Sequence, residues 1–532
     1  MAAASNWSAS TWTIGRGAMI LALLLCAGCM HSDLRPNYPR TPSTALPASH
    51  DSPLTGYVGR LTEQHPDQSG MRLISDSTEA LLARVALADR AKHSLDVQYY
   101  IFQSDATGKL ITQKLLAAAD RGVRVRLLLD DLHVAGKDAV IVALDGHPHI
   151  EIRLFNPFLD RGRSMLSIGS QFAGDFSRLD RRMHNKAFIA DGAIAVVGGR
   201  NIGNDYFDAA HHVNFRDLDL LTIGPVVTQT EQVFDEYWNS AQSYPIGAFH
   251  AKPPSTTTLA SVRKALGDSA RRFNQTDYAH NLIERAGDLR QEEGPDTWAW
   301  GSARFLADTP AKGDPKLDAE TASLRLAPEI KAWVDSVQQR LVIISPYFIP
   351  GPKGVTYLQN LSKRGVNIDV LTNSLASTDT GSVYEAYASR RPPLLQAGVS
   401  IYELKPAADG MAPGGRLGSS GGVSLHAKAM VIDDHRVFVG SMNMDPRSRN
   451  LNTEDGVIAE SPALAQAVLA MFADASAPAS AYHVKLAPDG RGVYWESTEN
   501  GATVRFDHAP QTTAWRRFKT ACIAVLPIEG LL

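Results

Sequence analysis

Leu341-Val342-Ile343-Ile344-Ser345-Pro346-Tyr347-Phe348-Ile349, a helical stretch closed by Arg364-Gly365, then Val366-Asn367-Ile368-Asp369-Val370-Leu371: the fold is decided here. The two outer segments are short, apolar and β-branched, as buried strands are, and the Arg-Gly pair is a helix stop. Strand, helix and strand in that order make a βαβ unit, whose strands pair in parallel. The same grammar occurs earlier in Leu95-Asp96-Val97-Gln98-Tyr99-Tyr100-Ile101-Phe102, a helical stretch, and Arg121-Gly122-Val123-Arg124-Val125-Arg126-Leu127-Leu128. A third strand follows in both places, Ile150-Glu151-Ile152-Arg153-Leu154-Phe155 and Val399-Ser400-Ile401-Tyr402-Glu403-Leu404. The chain reads as two related α/β halves, each a mixed, mostly parallel sheet flanked by helices.

The halves are placed at 61–250 and 326–480. Between them, 251–325 reads as a linker with a helical insertion, opening on Lys252-Pro253-Pro254-Ser255 and holding helix-like segments with Trp298 and Trp300. The Gly/Ser-rich run from Gly410 to Gly422 is expected to be mobile, with Asp160 to Phe176 as its counterpart, and 481–532 is read as a C-terminal extension. At the N-terminus, Arg16 precedes the apolar run Ala18-Met19-Ile20-Leu21-Ala22-Leu23-Leu24-Leu25, too short to span a bilayer as a mature helix. Residues 1–28 therefore read as a signal peptide. The run ends at Cys26-Ala27-Gly28-Cys29, which resembles the lipobox of bacterial lipoproteins and makes Cys29 the expected lipidation point. Residues 29–60, with Pro36, Pro39, Pro42 and Pro47, read as a flexible tether.

Composition narrows the function classes. Of 532 residues, 44% are hydrophobic and 20% charged, ordinary globular values. Lys+Arg 53 against Asp+Glu 56 gives a formal charge of −3, no field for holding a polyanion, so no nucleic-acid partner is expected. Three cysteines, Cys26, Cys29 and Cys522, exclude a disulfide framework for the body.

Both halves carry His-x-Lys-x-x-x-x-Asp, as His184-Asn185-Lys186 with Asp191 and His426-Ala427-Lys428 with Asp433. The register matches: Gly122 to His184 is 62 residues and Gly365 to His426 is 61, and Asn201 and Asn443 each lie 17 beyond their histidine. Read as strands, these stretches place His and Lys, two apart, on one face, with a turn at the aspartate and a return strand delivering the asparagine. His184, Lys186, Asp191, His426, Lys428 and Asp433 form the candidate catalytic set. For the two aspartates, an odd number of steps from their histidines, a turn-stabilising role stays open beside a chemical one. His211-His212 is rejected as a metal pair, because neighbours on a strand point apart and no further ligand set accompanies them.

The paired motif resembles the phospholipase D superfamily, whose two copies meet at a pseudo-twofold axis to build one active site. Over Leu179-Asp180-Arg181-Arg182-Met183-His184-Asn185-Lys186, Val197-Gly198-Gly199-Arg200-Asn201-Ile202-Gly203 and Asp445-Pro446-Arg447-Ser448 the chain is similar to bacterial cardiolipin synthases of the type C branch. That resemblance implies a two-displacement reaction through a phosphohistidine, with His184 as nucleophile and His426 as acid/base, the swapped assignment staying open. Lys186, Lys428, Asn201 and Asn443 are the implied phosphate ligands, and Asp217 and Glu454 the acids orienting His426 and His184, with Asp219 competing for the first role. No metal or other cofactor is implied. The implied substrates are phospholipids, phosphatidylglycerol and possible donors such as phosphatidylethanolamine, at a membrane surface. The expected location is the periplasmic side, as an exported, membrane-attached lipoprotein, the alternative being a peripheral inner-membrane protein. A hydrolase yielding phosphatidic acid, a nuclease and a non-catalytic tethered binder are the competing functions.

Overall fold

The two Arg-Gly stops end their helices by the same local device. After helix Ala106–Asp120, Gly122 takes φ +92° and Val123 N–H reaches back to the Ala118 carbonyl at 3.1 Å. After helix Gly351–Lys363, Gly365 takes φ +89° and Val366 N–H reaches the Leu361 carbonyl at 3.3 Å. Only a residue without Cβ adopts that turn freely, and it feeds the next strand straight into the sheet. The computed structural model describes residues 34–523 apart from 36, 48, 50, 135–136, 162–164, 250–256, 293–296, 318–324, 407–421 and 500. Cys29, the signal peptide and most of the Gly410–Gly422 run thus lie outside the described residues.

In chain order the strands are β1 (Ser69–Ile74), β2 (Ser94–Tyr99), β3 (Arg124–Asp130), β4 (Ile150–Phe155), β5 (Ala187–Ala190), β6 (Ile194–Gly198), β7 (Val213–Arg216), β8 (Asp219–Ile223) and β9 (Ser243–Pro245). The series continues with β10 (Ala299–Ala307), β11 (Arg340–Ile344), β12 (Asn367–Asn373), β13 (Ser400–Leu404), β14 (Gly422–Leu425) and β15 (Ala429–Ile432). It closes with β16 (Arg436–Gly440), β17 (Asp455–Glu460), β18 (Ala481–Leu486), β19 (Val493–Glu499) and β20 (Ala502–Phe506). The pairings put eighteen of them in one mixed sheet, β9-β4-β3-β2-β5-β6-β8-β1-β10-β17-β16-β15-β11-β12-β13-β18-β19-β20. β2-β3-β4 and β11-β12-β13 are parallel ladders, and antiparallel strands flank them. The eight strands from β9 to β1 are repeated in mirror order by the eight from β10 to β18. β5 and β6 are buried along their whole length, because helices cover both faces of the sheet.

This order corrects the sequence-based boundaries. Ala299–Ala307 is no linker: β10 is the first strand of the second half, the counterpart of β1, and it pairs with β17 from Ser302↔Glu460 to Ala307↔Asp455. Trp300 therefore lies on a strand, stacked on His65 with ring centroids 4.1 Å apart. β18 likewise belongs to the second half as the counterpart of β9, rather than to an extension. The tether reading is also corrected in its second part. Residues around Arg40 and Thr44 lie along the first half, where Arg153 and Arg126 donate to the Thr41 and Ser43 carbonyls at 2.6 and 3.0 Å, and Pro53–Thr62 is a helix. One hydrophobic cluster draws on both halves, with Phe234 and Trp238 packed among the same group as Phe305, Val437 and Val457. The halves share a core and a sheet, so neither buries its apolar surface alone.

Candidate active site

Each His-x-Lys segment lies just ahead of a buried strand, β5 or β15, rather than within it as the sequence pattern suggested. The other half holds it there. His184 N–H donates to the Thr453 carbonyl at 2.9 Å, and Thr453 N–H returns to the Arg182 carbonyl at 2.9 Å. In the second copy, the N–H groups of His426 and Ala427 both donate to the Arg216 carbonyl, at 2.7 and 3.0 Å, beside a two-stranded pairing of β14 with β7. Thr453 and Arg216 immediately precede Glu454 and Asp217. A histidine and the acid across from it are therefore locked in register by backbone hydrogen bonds between the halves.

The rings follow. His184 Nδ1 lies 2.7 Å from Glu454 Oε2, and His426 Nδ1 lies 2.5 Å from Asp217 Oδ2. With each Nδ1 engaged by a carboxylate, Nε2 is the nitrogen each ring has for proton or phosphorus chemistry. Tyr100 stands edge-on to His184 at 5.1 Å, and Tyr206 edge-on to His426 at 5.2 Å, with Phe215 at 5.0 Å. Lys186 and Lys428 are buried, and their ammonium groups reach the carbonyls of their own histidines. Lys428 Nζ also sits 2.7 Å from His426 Nδ1. Asn201 accepts from the Ile101 N–H at 3.2 Å and donates to the Tyr206 hydroxyl at 2.8 Å, whereas Asn443 Oδ1 is buried without a partner among the described residues.

Burial and crowding of like charge set the electrostatics. Burial, with the charges of Lys186, Lys428 and His426, pushes the His184 imidazole well below its ordinary value. His426 is also lowered, by burial and Lys428, against an opposing pull from Asp217. Burial brings Lys186 down to about 7 and Lys428 to about 8. The two acids part company. Burial pushes Glu454 up, while for Asp217 the upward push of burial is outweighed by His426 and Lys428, which hold it below the usual carboxylate range. The site thus gathers two buried imidazoles and two buried lysines able to offset a bound anion's charge.

Asp191 and Asp433 do not join this group, which corrects the catalytic set. Each sits at the far end of its strand in a turn with positive φ, 53° and 50°. Asp191 accepts from the backbone N–H groups of Lys92, His93 and Ser94 at 2.8 to 3.2 Å and from the Ser52 hydroxyl. Asp433 accepts from Gln338, Gln339 and Arg340 at 2.7 to 3.2 Å. They tie the start of β2 and β11 to the hairpin turn. Asp219, the competitor of Asp217, is taken by Arg84 at 3.0 Å and Arg200 at 3.4 Å. Arg447 bridges to Asp180 at 2.8 Å, and His211 and His212 are exposed in a bend ahead of β7.

Sequence reasoning missed several supports. The Ser441 hydroxyl donates to Glu454 Oε2 at 2.5 Å, Asp308 accepts the Glu454 N–H at 2.9 Å, and Asp130 accepts the Met183 N–H at 2.9 Å. Asp455 accepts the Lys186 N–H at 3.0 Å, and burial lifts its carboxyl to about 7. Position 441 alone carried a signal, since it follows the β16 glycine as Gly199 follows Gly198.

The family model described as "Cardiolipin synthase, PLD-like domain" matches residues 85–238 and 330–475. Cardiolipin synthase C of Escherichia coli (strain K12) is 40% identical over 491 residues, covering 90% of this chain and 99% of that protein. Cardiolipin synthase 1 of Bacillus anthracis is 24% identical over 390 residues, covering 73% and 62%. Among solved structures, phosphatidylserine synthase of Haemophilus influenzae Rd KW20 shares the fold at a TM-score of 0.53 and 14% identity, over 90% of this chain and all of that one.

Proposed function

The chain belongs to the phospholipase D superfamily as a cardiolipin synthase-like enzyme, and from that premise we propose that it is a phosphatidyltransferase that makes cardiolipin. The observation that carries this reading is the crossed pair of His184 with Glu454 and His426 with Asp217, two imidazoles each tuned by the opposite half. In the first displacement, His184 Nε2 attacks phosphorus of a donor phospholipid. The bond to the head-group oxygen breaks, and His426 gives that oxygen its proton. In the second, the neutral His426 takes the proton from a hydroxyl of phosphatidylglycerol, whose oxygen attacks the phosphohistidine and releases His184. A neutral His184 suits the first role, since burial and three neighbouring cations disfavour its protonated form. Lys186 and Lys428, lowered to about 7 and 8, regain their protons when a phosphodiester anion arrives and then spread the charge of the five-coordinate transition state.

We further propose that Cys29 is lipidated and that the chain works at the membrane surface on the periplasmic side. Among the described residues no helix is long and apolar enough to cross a membrane. The test is lipid mass spectrometry after expression of the full chain in a host without cardiolipin. Cardiolipin with a released head-group alcohol is expected, and neither with His426→Ala. Phosphatidic acid as the only product would overturn transfer in favour of hydrolysis.

A further inference from the structure

An apolar cavity of about 480 Å3 opens in the first half between the sheet and its outer helices. Its walls are Leu127 of β3, Ile152 of β4, Leu115 and Ile141 from the helices Ala106–Asp120 and Asp138–Asp145, and Val262 and Leu266 from helix Leu259–Phe273. Gln103, Ser104 and Lys137 line both this cavity and a neighbouring one of about 460 Å3. The second cavity is lined also by His133, whose ring stands edge-on to Tyr100 at 4.9 Å. Tyr100 is the ring beside His184. Ring contacts through Tyr100 therefore link the attacking histidine to a polar neck that carries both Lys137 and Asp105, and the apolar chamber lies beyond it. That is the polarity order of a phosphatidyl group: phosphate, glycerol esters, hydrocarbon.

Helix Leu259–Phe273 falls between the two stretches matched by the family, 85–238 and 330–475. It is anchored on purpose-built contacts: a reciprocal Thr258–Ser261 cap at its start and an Arg263 bond to Asp120 Oδ1 at 2.9 Å. We propose that this cavity holds one acyl chain of the phosphatidyl donor and makes the enzyme sensitive to chain length. The proposal rests on the phospholipid reading of the site and assigns it a chain-binding subsite.

Ala265→Trp and Val262→Trp fill the chamber from a helix that carries no catalytic group, and thermal melting of each full-length variant reports its folding. With dioleoyl phosphatidylglycerol vesicles, kcat/KM is expected to fall about tenfold, while turnover of dihexanoyl phosphatidylglycerol stays within about twofold of the parent. A parallel loss on both substrates in folded variants, or no loss on either, overturns the proposal. Photolabelling with phosphatidylglycerol carrying a diazirine at the acyl terminus reads binding without turnover. Labels in 115–152 and 259–273 are expected, and labels confined to other segments overturn the subsite. Labelling of the chamber by an enzyme that forms no cardiolipin would sink the transferase reading and leave the chain site standing, whereas cardiolipin formation without chamber labelling would do the reverse.

Discussion

The two half-sites share one plan and differ behind the acid. Gly199 N–H donates to the Leu218 carbonyl at 3.0 Å and Ser441 N–H to the Asp455 carbonyl at 2.8 Å, so the positions correspond. At the first, a Cβ would collide with the Asp217 carboxylate, which folds back over the glycine. At the second, the longer Glu454 reaches past the backbone and leaves room for the Ser441 hydroxyl, which donates to it. The charge states diverge accordingly. Asp217 is held ionised by His426 and Lys428, whereas burial pushes Glu454 up. Ionised Asp217 opposes the burial and the Lys428 charge that lower His426, so the proton-donating imidazolium is less disfavoured there than on His184. His184 faces a weaker acid and three cations and stays neutral, the form that attacks. A duplicated sequence thus yields unlike rings, and the proposed division of roles between them rests on that difference.

The strongest way to break this comparison is to remove each ring. His184→Asn and His426→Asn are each expected to lower kcat by about 10³-fold or more. They should differ in mass spectrometry of the quenched enzyme: a phosphatidyl adduct on His184 persists in His426→Asn when the leaving group is a nitrophenol, and none forms in His184→Asn. An adduct on His426 would reverse the assignment. Next come the acids. Asp217→Asn is expected to cost about 10²-fold or more in kcat, as for an ionised orienting carboxylate, and Glu454→Gln about tenfold. Equal losses would show that the difference in ionisation has no functional weight. A smaller effect is the alkaline limb of kcat/KM. Lys186 and Lys428 lose their protons as pH rises through about 7 and 8, so capture of the phosphodiester weakens above that range. A profile flat to pH 9 with chemistry rate-limiting would remove both lysines from phosphate binding.

What the chain discloses before folding divides along a physical line. The βαβ units were legible because a short apolar, β-branched run and a left-handed glycine stop are local, as Gly122 and Gly365 show. β10 was not: Ala299-Trp300-Gly301-Ser302-Ala303-Arg304 mixes polar and small residues, and its identity comes from partners on both sides, β1 and β17. The strap around Thr41 and Ser43 has no periodicity at all and is held by arginines of the first half. In the site, His184, Lys186, His426 and Lys428 were legible through matched spacing. The crossing of acids was carried only by the family resemblance, because no local pattern joins residues 270 apart, as His184 and Glu454 are. Tyr100 belongs to no motif, and only its packing against His184 reveals it.

The motif aspartates sharpen the comparison at its smallest scale, since they resemble each other in sequence and differ in exposure. Asp191 is buried and gathers three backbone N–H groups and the Ser52 hydroxyl, while Asp433 has its three N–H groups and Arg436 nearer the surface. Removing the acceptor leaves donors unpaired, so Asp191→Ala is expected to cost about 3 kcal/mol of stability and Asp433→Ala about 1 kcal/mol. Denaturation at pH 7 measures both, and kcat/KM per folded molecule should stay near the parent. Backbone donors and Arg436 outweigh burial at Asp433 and hold its carboxyl below the ordinary value. Its contribution is therefore complete above an unfolded carboxyl value of about 4 and fades as pH falls through the lower folded value. The gap between Asp433→Asn and the parent should close in acid. A gap that persists there, or a catalytic loss at pH 7 without a stability loss, would return these carboxylates to the chemistry.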